Sequence, residues 1–398
     1  MSGVGIDAPS SPLLNPSPVV SPLRICYLAN AQSIHTVRWA RHFAGAGHDI
    51  TVVSYEPAQI DGVTVISLPK VVPSRHLNIV AGALLAQKVV KECAPDIVHA
   101  HYVTSYGLAG ALLKRDRPFI VSAWGSDVLT LPRESQMYRR LVRFVLRRAD
   151  IVTSVAPHMT EYLGQSGLAN RQKVVTIPFG TDTTIFNGND RVAGVATGPV
   201  ILSTRRLDRG LDVDVLVRAA HDVIKLHPAA RFEVVGDGTE RRDIEQMTAD
   251  LGLSNNVSFL GSLAPHAVAH RLQRADIFVS TPPSDGNNVS LNEAMACGTF
   301  PVVSDIDANR AWIHDGVNGL MFRTGDASSL ASVVRRAVES PDLRARAQPL
   351  NWQIVQTRAS WQNSTRAMQR LYDDVLAKRG PAGSSWAVTT ADAPTNLH

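Results

Sequence analysis

Two acidic residues, Asp285 and Glu293, stand near the ends of a stretch that begins in a loop and continues as a helix. The stretch 284–298 reads SDGNNVSLNEAMACG; it follows a buried-strand pattern at Ile277–Ser280 and ends at Gly298 before a second strand. The first N–H groups of a helix lack partners within it and the helix dipole makes that end positive, which suits an anion such as a diphosphate. A carboxylate accepts both O–H groups of a vicinal diol, so the two acids would bind hydroxyl groups around that anion. The pattern predicts a nucleotide-sugar pocket; the alternative is an ordinary crossover helix whose two acids are solvated.

The composition indicates a globular protein with more than one domain. A chain of 398 residues suffices for roughly two to three domains. Hydrophobic residues make up 44% and charged residues 19% of the chain, which excludes a disordered or fibrous protein. The formal net charge of +5 is modest and no long Lys/Arg tract occurs, so we expect no nucleic-acid partner. No apolar run could span a bilayer, and residues 1–22 lack the features of a secretory signal, so we expect a cytoplasmic protein.

Buried-strand patterns alternate with helical patterns along the chain. The first strand is predicted at Arg24–Leu28, and the loop after it lacks the glycines of a dinucleotide-binding fingerprint. Small and polar residues at 187–199 interrupt the alternation, which restarts at Val200. The pattern predicts an α/β fold with two doubly wound Rossmann-like domains facing a central cleft. The predicted segments are a disordered lead-in over 1–22, a first domain over 23–190, a second domain over 191–359, a last helix over 360–378 that packs back on the first domain, and a disordered tail over 380–398.

Several stretches, taken together, resemble the retaining GT-B glycosyltransferases of family four, also called glycosyl transferases group one. The family signature is an acid, seven residues, and a Glu followed by Ala-Met-Ala-Cys-Gly, which here runs from Asp285 to Gly298. The other matching pieces occur in the expected order: ADIVTS at 149–154, IPFGTD at 177–182, VGDG at 235–238 and DGVNGL at 315–320. The similarity covers about Arg24 to Lys378. It implies a GT-B fold and a nucleotide-sugar-dependent hexosyltransferase that uses no cofactor.

The resemblance assigns the donor to the second domain. Glu293 would hold the ribose hydroxyls and Asp285 would contact the transferred sugar as a catalytic residue. Because negative charge grows on the leaving diphosphate, a cation must face it; Arg205 or Arg206 would supply it, with Arg206 as the catalytic candidate. The remaining donor-binding candidates are Gly236, Val289, Ser290 and Leu291, the last three through their N–H groups. The arginine pair has a simpler alternative, a solvated strand end.

Two positions depart from the family pattern. Relatives usually carry a Lys five residues beyond the Arg, where this chain has Leu211, and often a Glu where it has Ala311. Both departures, together with the shorter acid at Asp285, favour the alternative of a nucleotide-sugar-binding protein without transfer activity.

The first domain would hold the acceptor. The family's catalytic-site histidine matches His101, at the end of a strand, and Asp127 is an acceptor-site candidate in the stretch WGSD. His35 ends a loop facing the same cleft and would touch donor phosphate or acceptor. The alternatives are a hydrogen-bonded strand-end histidine for His101 and a surface histidine beside a helix cap for His35.

We predict no metal site. His99 and His101 share a strand face and could chelate a metal, but no third ligand is indicated. Two Asp-x-Asp pairs, at 212–214 and 305–307, are typical of metal sites in another glycosyltransferase fold. Here one lies at a helix start and the other in a turn after a strand, where acids have other uses.

The stretch 138–148 is amphipathic at helical spacing, with four arginines on its polar face. Such a face suits anionic headgroups or a phosphorylated acceptor, and its alternative is a solvated basic surface. Peripheral contact with the inner face of a membrane is therefore open.

The sequence as a whole predicts a cytoplasmic, metal-independent, retaining glycosyltransferase that takes a UDP- or GDP-sugar. The family's breadth suggests a carbohydrate or lipid-linked acceptor in cell-envelope polysaccharide or glycolipid synthesis. A different GT-B enzyme, such as an epimerase or phosphorylase, is the third alternative. The sugar, the acceptor and the oligomeric state stay open.

Overall fold

The structure is a computed structural model that describes residues 21–69, 75–113, 116–192 and 198–378. The predicted tail and all but the last two residues of the predicted lead-in lie outside the described residues. The strands are β1 (Arg24–Leu28), β2 (Asp49–Ser54), β3 (Thr64–Ser67), β4 (Ile97–His101), β5 (Phe119–Ala123), β6 (Ile151–Ser154), β7 (Val174–Thr176), β8 (Val200–Ser203), β9 (Arg231–Val235), β10 (Val257–Gly261), β11 (Ile277–Ser280), β12 (Phe300–Ser304) and β13 (Leu320–Phe322).

The helices lie mainly between successive strands. They are α1 (Ile34–Gly45), α2 (Arg75–Cys93), α3 (Leu108–Ala111), α4 (Ser126–Leu129), α5 (Leu131–Glu134), α6 (Gln136–Arg148), α7 (Pro157–Gln165), α8 (Val213–Leu226), α9 (Arg241–Asp250), α10 (Pro265–Arg274), α11 (Val289–Ala296), α12 (Asp307–Arg310), α13 (Ala327–Glu339), α14 (Pro341–Ile354) and α15 (Trp361–Ala377). Among the residues that the structure describes, no helix combines the length and apolar character needed to cross a membrane.

The named strands pair in parallel and form two separate sheets. The first sheet has the order β3-β2-β1-β4-β5-β6-β7 and the second has the order β10-β9-β8-β11-β12-β13. The strand order changes direction between β1 and β4 in the first sheet and between β8 and β11 in the second. Such a switch point leaves a crevice at the carboxyl ends of the strands. The predicted fold of two doubly wound Rossmann-like domains is confirmed.

Each sheet is buried on both faces, which explains its apolar strands. In β1, Cys26 and Leu28 enter the core on one face of the first sheet, while Ile25 and Tyr27 enter the core on the other. The second sheet repeats this arrangement, with Ile201 and Leu202 of β8 in different cores. Continuous apolar runs were therefore a sound signal for these strands.

The last helix, α15, returns to the first sheet. Met368, Leu371, Tyr372 and Val375 join the core that also contains Tyr27. The two chain segments that pass between the domains are hydrogen-bonded to each other: the Thr181 N–H donates to the Ala359 carbonyl (2.7 Å), and the Trp361 N–H donates to the Thr181 carbonyl (2.8 Å). We call residues 180–181 and 359–361 the hinge.

The sequence pattern over residues 107–114 predicts a helix, and the structure differs there. A π-helical turn covers Val103–Gly107 and the α-helix that follows ends at Ala111. A Cβ on Gly110 would lie 2.3 Å from the Phe119 ring, so the chain runs unusually close to β5 there. The close approach to the sheet, not the apolar period, decides where this helix ends.

Candidate active site

The loop before α11 is held in place by the buried side-chain amide of Asn288. Asn288 caps the helix, because its Oδ1 accepts from the Leu291 N–H (3.2 Å). The Asn288 Nδ2 donates to Ser280 Oγ (3.0 Å) and to Asn309 Oδ1 (2.9 Å). This network holds the helix start against β11 and α12, so the loop presents its other residues in a fixed conformation.

The three predicted N–H donors at this helix start are not equivalent. The Val289 N–H donates to the Asn287 carbonyl (2.8 Å), and the Leu291 N–H is taken by the Asn288 cap. The Ser290 hydroxyl donates to the Thr204 carbonyl (3.3 Å), which joins the helix to the loop after β8. The helix dipole still favours an anion here, but a ligand would have to compete with the local bonds of Val289 and Leu291.

Arg205 is the cation that lies beside Asp285. Its Nη2 is 2.9 Å from Asp285 Oδ2, and the two side chains are only 15% and 16% exposed. Arg206 is 77% exposed and pairs with Asp208 instead. Neighbouring side chains of an extended segment point to opposite sides, so only one of the two arginines can face Asp285. The structure therefore places Arg205 at the acid, and the catalytic role expected for Arg206 stays a prediction.

The backbone of Gly236 packs closely against the backbone of Arg205. A Cβ at this position would lie 2.2 Å from the Arg205 carbonyl oxygen, and its φ of +147° is one that L side chains rarely adopt. Its N–H donates to the Gly261 carbonyl (2.8 Å). The backbone of Gly236 is thus occupied by the protein, and its predicted contribution to donor binding is indirect.

Glu293 lies one helical turn into α11 and is partly exposed. Burial of its carboxyl raises the pKa to about 7, and the positive charge of Arg38 opposes that rise. Arg38 belongs to α1 of the first domain, so an electrostatic interaction crosses the domain boundary here. The sequence analysis missed Arg38, because nothing in a helix pattern shows which far segment a side chain meets.

The two domains also touch directly through their loops. A Cβ on Gly286 would lie 2.3 Å from the Trp124 carbonyl oxygen, and one on Gly125 would lie 3.2 Å from the Gly286 Cα. His158 of α7 forms a hydrogen bond with the backbone of Asp285 and interacts with Asp307. These contacts bring the Trp124 loop of the first domain against the Asp285 loop of the second. His158 and Gly286 were not among the predicted site residues.

His101 lies at the carboxyl end of β4 and is buried, with 2% of its surface exposed. Its Nδ1 is 3.3 Å from Thr36 Oγ1, and its ring packs 5.0 Å from the Trp124 ring. Burial lowers the pKa of His101 well below its ordinary value, so the ring is neutral. A neutral imidazole can orient a hydroxyl but does not supply a positive charge.

His99, two residues earlier, is occupied by a buried network. Its Nδ1 is 2.8 Å from the Tyr372 hydroxyl and its Nε2 is 2.8 Å from Ser122 Oγ. With both ring nitrogens engaged, His99 has no lone pair left for a metal. The alternative of a His99–His101 metal pair therefore finds no support in this geometry.

His35 stands at the start of α1 within a group of aromatic rings. Its ring stacks on Phe179 at 3.8 Å and meets the edge of Trp124 at 5.6 Å. Burial, and secondarily the charge of Arg38, lowers the pKa of His35 to about 4. His35, His101, Trp124 and Phe179 form what we call the aromatic wall.

Asp127 is fully buried behind the Trp124 loop. Its carboxylate accepts from the N–H groups of Val103 (2.9 Å), Gly125 (2.8 Å) and Trp124 (3.2 Å). Burial nevertheless raises its pKa. These contacts favour a role in shaping the loop, and a direct contact between Asp127 and an acceptor stays a prediction.

The two Asp-x-Asp pairs are engaged with arginines. Asp214 pairs with Arg218, and Arg310 binds both Asp305 (2.7 Å) and Asp307 (3.1 Å). Within the described ranges, no group of three metal-ligating side chains comes together.

The two departures from the family pattern lie near the site. Leu211 packs against the core of the second domain, and its carbonyl accepts from Thr281 Oγ1 (2.9 Å). Ala311 offers its carbonyl to Arg358 (3.0 Å).

Two doubly wound parallel domains whose loops meet at Gly286 and Trp124 have the architecture of a GT-B fold. Residues 24–156 match the family "Glycosyl transferase 4-like", and residues 189–349 match "Glycosyl transferases group 1". The chain belongs to the group 1 glycosyltransferases with a GT-B fold, which are nucleotide-sugar-dependent enzymes.

Known proteins with similar sequences or structures agree with this family. The chain is 25% identical over 415 residues to a D-inositol 3-phosphate glycosyltransferase of Acidothermus cellulolyticus, covering 92% of this chain and 90% of that protein. It is 26% identical to a phosphatidyl-myo-inositol mannosyltransferase of Mycolicibacterium smegmatis, covering 78% of this chain and 82% of that protein. The crystal structure of Anabaena Alr3699/HepE in complex with UDP has a TM-score of 0.74 and 19% identity, covering 88% of this chain and 100% of that one.

Proposed function

We propose that this protein is a retaining, metal-independent glycosyltransferase that moves a sugar from a UDP- or GDP-sugar to an acceptor hydroxyl. The observation that carries the proposal is the arrangement at α11: the Arg205–Asp285 pair precedes the helix, Glu293 lies one turn into it, and the Gly286 loop contacts the Trp124 loop of the first domain. A half-buried ion pair before the helix and a second acid with a raised pKa one turn into it favour a ligand site over an ordinary crossover helix.

The second domain would bind the donor. The Glu293 carboxylate, when ionised, accepts the two ribose O–H groups, while the start of α11 faces the diphosphate. Arg205 lies beside Asp285 and would offset the charge that grows on the leaving nucleotide. Asp285 would then accept a hydroxyl of the sugar, exchanging part of its bond with Arg205 for one with the ligand.

The reaction would proceed on one face of the sugar. The acceptor oxygen forms a bond to the anomeric carbon as the bond from that carbon to the phosphate oxygen breaks, and the departing phosphate takes the proton of the acceptor hydroxyl. The aromatic wall excludes water from this side. His101, held neutral by burial, would orient the acceptor or a sugar hydroxyl without acting as a cation.

The relatives suggest the class of acceptor. Two of them are named for transfer to inositol 3-phosphate and phosphatidyl-myo-inositol. We therefore infer a carbohydrate or lipid-linked hydroxyl acceptor in cell-envelope glycolipid or polysaccharide synthesis. UDP is the nucleotide bound by the Anabaena protein of the same fold, which makes UDP-sugars the first donors to test here.

We further infer peripheral contact with an anionic membrane surface on the cytoplasmic side, through α6. This helix contains no acidic residue and presents one exposed stripe at three- and four-residue spacing: Met137, Arg140, Phe144 and Arg147. Met137 is 60% and Phe144 is 42% exposed, which is unusual for apolar side chains beside arginines. Apolar side chains between cations suit the headgroup region of an anionic bilayer.

Sedimentation with vesicles tests this contact. We expect binding to vesicles that contain phosphatidylglycerol but not to pure phosphatidylcholine, and roughly fivefold weaker binding for each arginine of the stripe replaced by Gln. Leu226→Ala, which removes a 59% exposed apolar side chain from the second domain, is the matched control. Equal binding to both vesicle types would contradict the inference.

Calorimetric titration with UDP, GDP, UDP-glucose and GDP-mannose tests the donor site. We expect one nucleotide to bind and the Glu293→Ala protein to lose that binding, with slow hydrolysis of the matching sugar nucleotide by the wild type. Binding without any hydrolysis or transfer would instead favour a nucleotide-sugar-binding protein, an alternative that the closed Arg205–Asp285 pair and Leu211 keep in view. Absence of binding by folded protein would overturn the proposed function.

A further inference from the structure

We propose that Arg38, on α1 of the first domain, is a positioning residue that joins Glu293 of the donor site to the hinge between the domains. The proposal rests on the function proposed above, in which the Glu293 carboxylate receives the hydroxyl groups of a nucleotide. Arg38 itself lies outside the family motifs and outside the residues predicted for the site.

The first observation is the attachment of Arg38 to both hinge segments. Its Nη1 donates to the Gly180 carbonyl (3.0 Å), and its guanidinium carbon lies 4.1 Å from the centre of a Trp361 ring. A Cβ on Gly180 would lie 2.8 Å from the Trp361 Cα, so the two segments are pressed together beneath Arg38. A charge stacked on an aromatic face and bonded to a carbonyl is held in place. The Arg38 side chain therefore contacts both chain segments that pass between the domains.

The second observation is the unused arm of the guanidinium. Arg38 Nη2 is buried and has no hydrogen-bond partner among the residues that the structure describes. A buried N–H donor without a partner is costly, and such groups in native proteins need an explanation. The acids that stabilise the charge of Arg38 are Asp182, beside the hinge, and Glu293, on the second domain. A small domain movement that brings Glu293 or the ligand to Nη2 would satisfy this donor.

The third observation concerns the charged and titratable groups around Glu293 and Arg38. The charged group that acts on Glu293 is Arg38 from α1, while burial and, secondarily, the charge of Glu293 raise the pKa of the Cys297 thiol just after α11. Two histidines also face Arg38, His35 and His42, and burial lowers the pKa of both, so neither is charged near neutral pH. Arg38 is thus a cation whose charge opposes the effect of burial on Glu293 but does not cancel it, since the pKa of Glu293 still rises to about 7.

These observations together link ligand binding to domain geometry. A protonated Glu293 offers one O–H donor in place of an acceptor, so it binds ribose hydroxyls poorly. Because Arg38 is attached to both hinge segments, a hinge movement that carries its charge away from Glu293 would weaken nucleotide binding. The donor site would then be complete only in the domain arrangement that Arg38 stabilises.

The test is calorimetric titration of the full chain with UDP-glucose, or with GDP-mannose if that is the donor that binds, across neutral pH. The esterified diphosphate of a sugar nucleotide does not titrate there, so the pH profile reports protein groups. For the wild type we expect affinity to fall as pH drops through about 7, the pKa of Glu293. For Arg38→Gln the midpoint should move to higher pH, with about tenfold weaker binding at neutral pH.

Two further variants make the result specific. Arg41→Gln removes the same charge one turn away on the same helix, from an exposed pair with Asp61, and should leave the midpoint unchanged. Arg38→Lys keeps the charge but has no second N–H arm, so we expect a smaller shift in the same direction. This variant also carries the test if Arg38→Gln does not fold.

The outcomes separate the two proposals. Superimposable pH profiles for wild type, Arg38→Lys and Arg38→Gln would overturn the role of Arg38 while leaving the donor site intact. Absence of nucleotide binding by the wild type would overturn the proposed function and the role of Arg38 with it.

Discussion

The two sides of the cleft use opposite chemistry. On the first-domain side, the aromatic wall is neutral, because burial lowers the pKa of His35 to about 4 and that of His101 further. On the second-domain side, Arg205, Asp285 and Glu293 place charges at a helix start. A neutral wall suits an acceptor that must approach without water, and a charged wall suits a leaving diphosphate. In the function proposed above, the Arg205–Asp285 pair and Glu293 lie in the half that would meet the leaving diphosphate, and the charge of Arg38 acts on Glu293 from the first domain.

The largest effect is expected from a substitution that forces the Asp285 loop of the second domain away from the Trp124 loop of the first. Gly286→Val would put side-chain atoms where a Cβ alone already lies 2.3 Å from the Trp124 carbonyl oxygen. We expect transfer activity to fall by about 100-fold or more, because misplacement of reacting groups by an ångström costs that much. Steady-state transfer assays measure the loss. Gly188→Ala, whose new Cβ would meet its neighbours at 3.8 Å or more, is the control and should keep its activity.

The charged wall can be tested through its two arginines. Arg205→Gln should lower kcat by about 100-fold, since it removes a preorganised cation at the leaving group. Arg206→Gln should change kcat less than about twofold, because its side chain is 77% exposed and pairs with Asp208. Donor hydrolysis and transfer rates, measured side by side, decide the assignment. A larger loss for Arg206→Gln than for Arg205→Gln would contradict it.

A buried hydrogen-bond network of Tyr27, His99 and Tyr372 lies beside the aromatic wall and can be weakened by a substitution outside the cleft. Tyr372→Phe removes the partner of His99 Nδ1 and of the Tyr27 hydroxyl, which lie 2.8 and 3.1 Å from the Tyr372 oxygen. Leaving buried polar groups unpaired should lower the free energy of unfolding by about 2 kcal/mol. Denaturant unfolding followed by circular dichroism measures this loss. Tyr27→Phe breaks only one of the two bonds and should cost less.

A difference in the pH dependence of stability distinguishes the two walls by sign. His35 has its pKa lowered, so its contribution to stability is present above pH 6.5 and is lost as pH falls towards about 4. Glu293 has its pKa raised from 4.5 to about 7, so the folded protein holds that proton more tightly and its stability declines as pH rises between those values. Between pH 4.5 and 7, the free energy of unfolding should decline more with rising pH for the wild type than for Glu293→Gln. Parallel curves would show that folding does not raise the pKa of Glu293.

Much of the fold followed from local pattern. The strands Arg24–Leu28 and Ile277–Ser280 begin and end where the sequence predicts, because strands buried on both faces are continuous apolar runs with polar ends. Helix α14 was not predicted, since it has a proline at position 349 and a weak apolar period. Local signals therefore identified the sheets better than the helices that cover them.

The site was predictable only where its residues are neighbours in sequence. Asp285 and Glu293 share one loop and helix, so their spacing carried the prediction. Arg38, His158 and the contact between Gly286 and Trp124 join segments more than a hundred residues apart, and no local pattern encodes such pairs. The choice between Arg205 and Arg206 depends on which side of an extended segment faces inward, which requires the strand end to be placed in space.

The return of α15 to the first sheet determines when that domain can be finished during synthesis. Domains generally fold in the order in which the ribosome releases them. Here the core around Tyr27 lacks Met368, Leu371 and Tyr372 until the end of the chain emerges, after the whole second sheet. The second domain, although later in sequence, has its own cores complete first. A fragment cut between the two sheets would leave the first with an open apolar face, and the nascent chain must carry that same face until α15 has been synthesised.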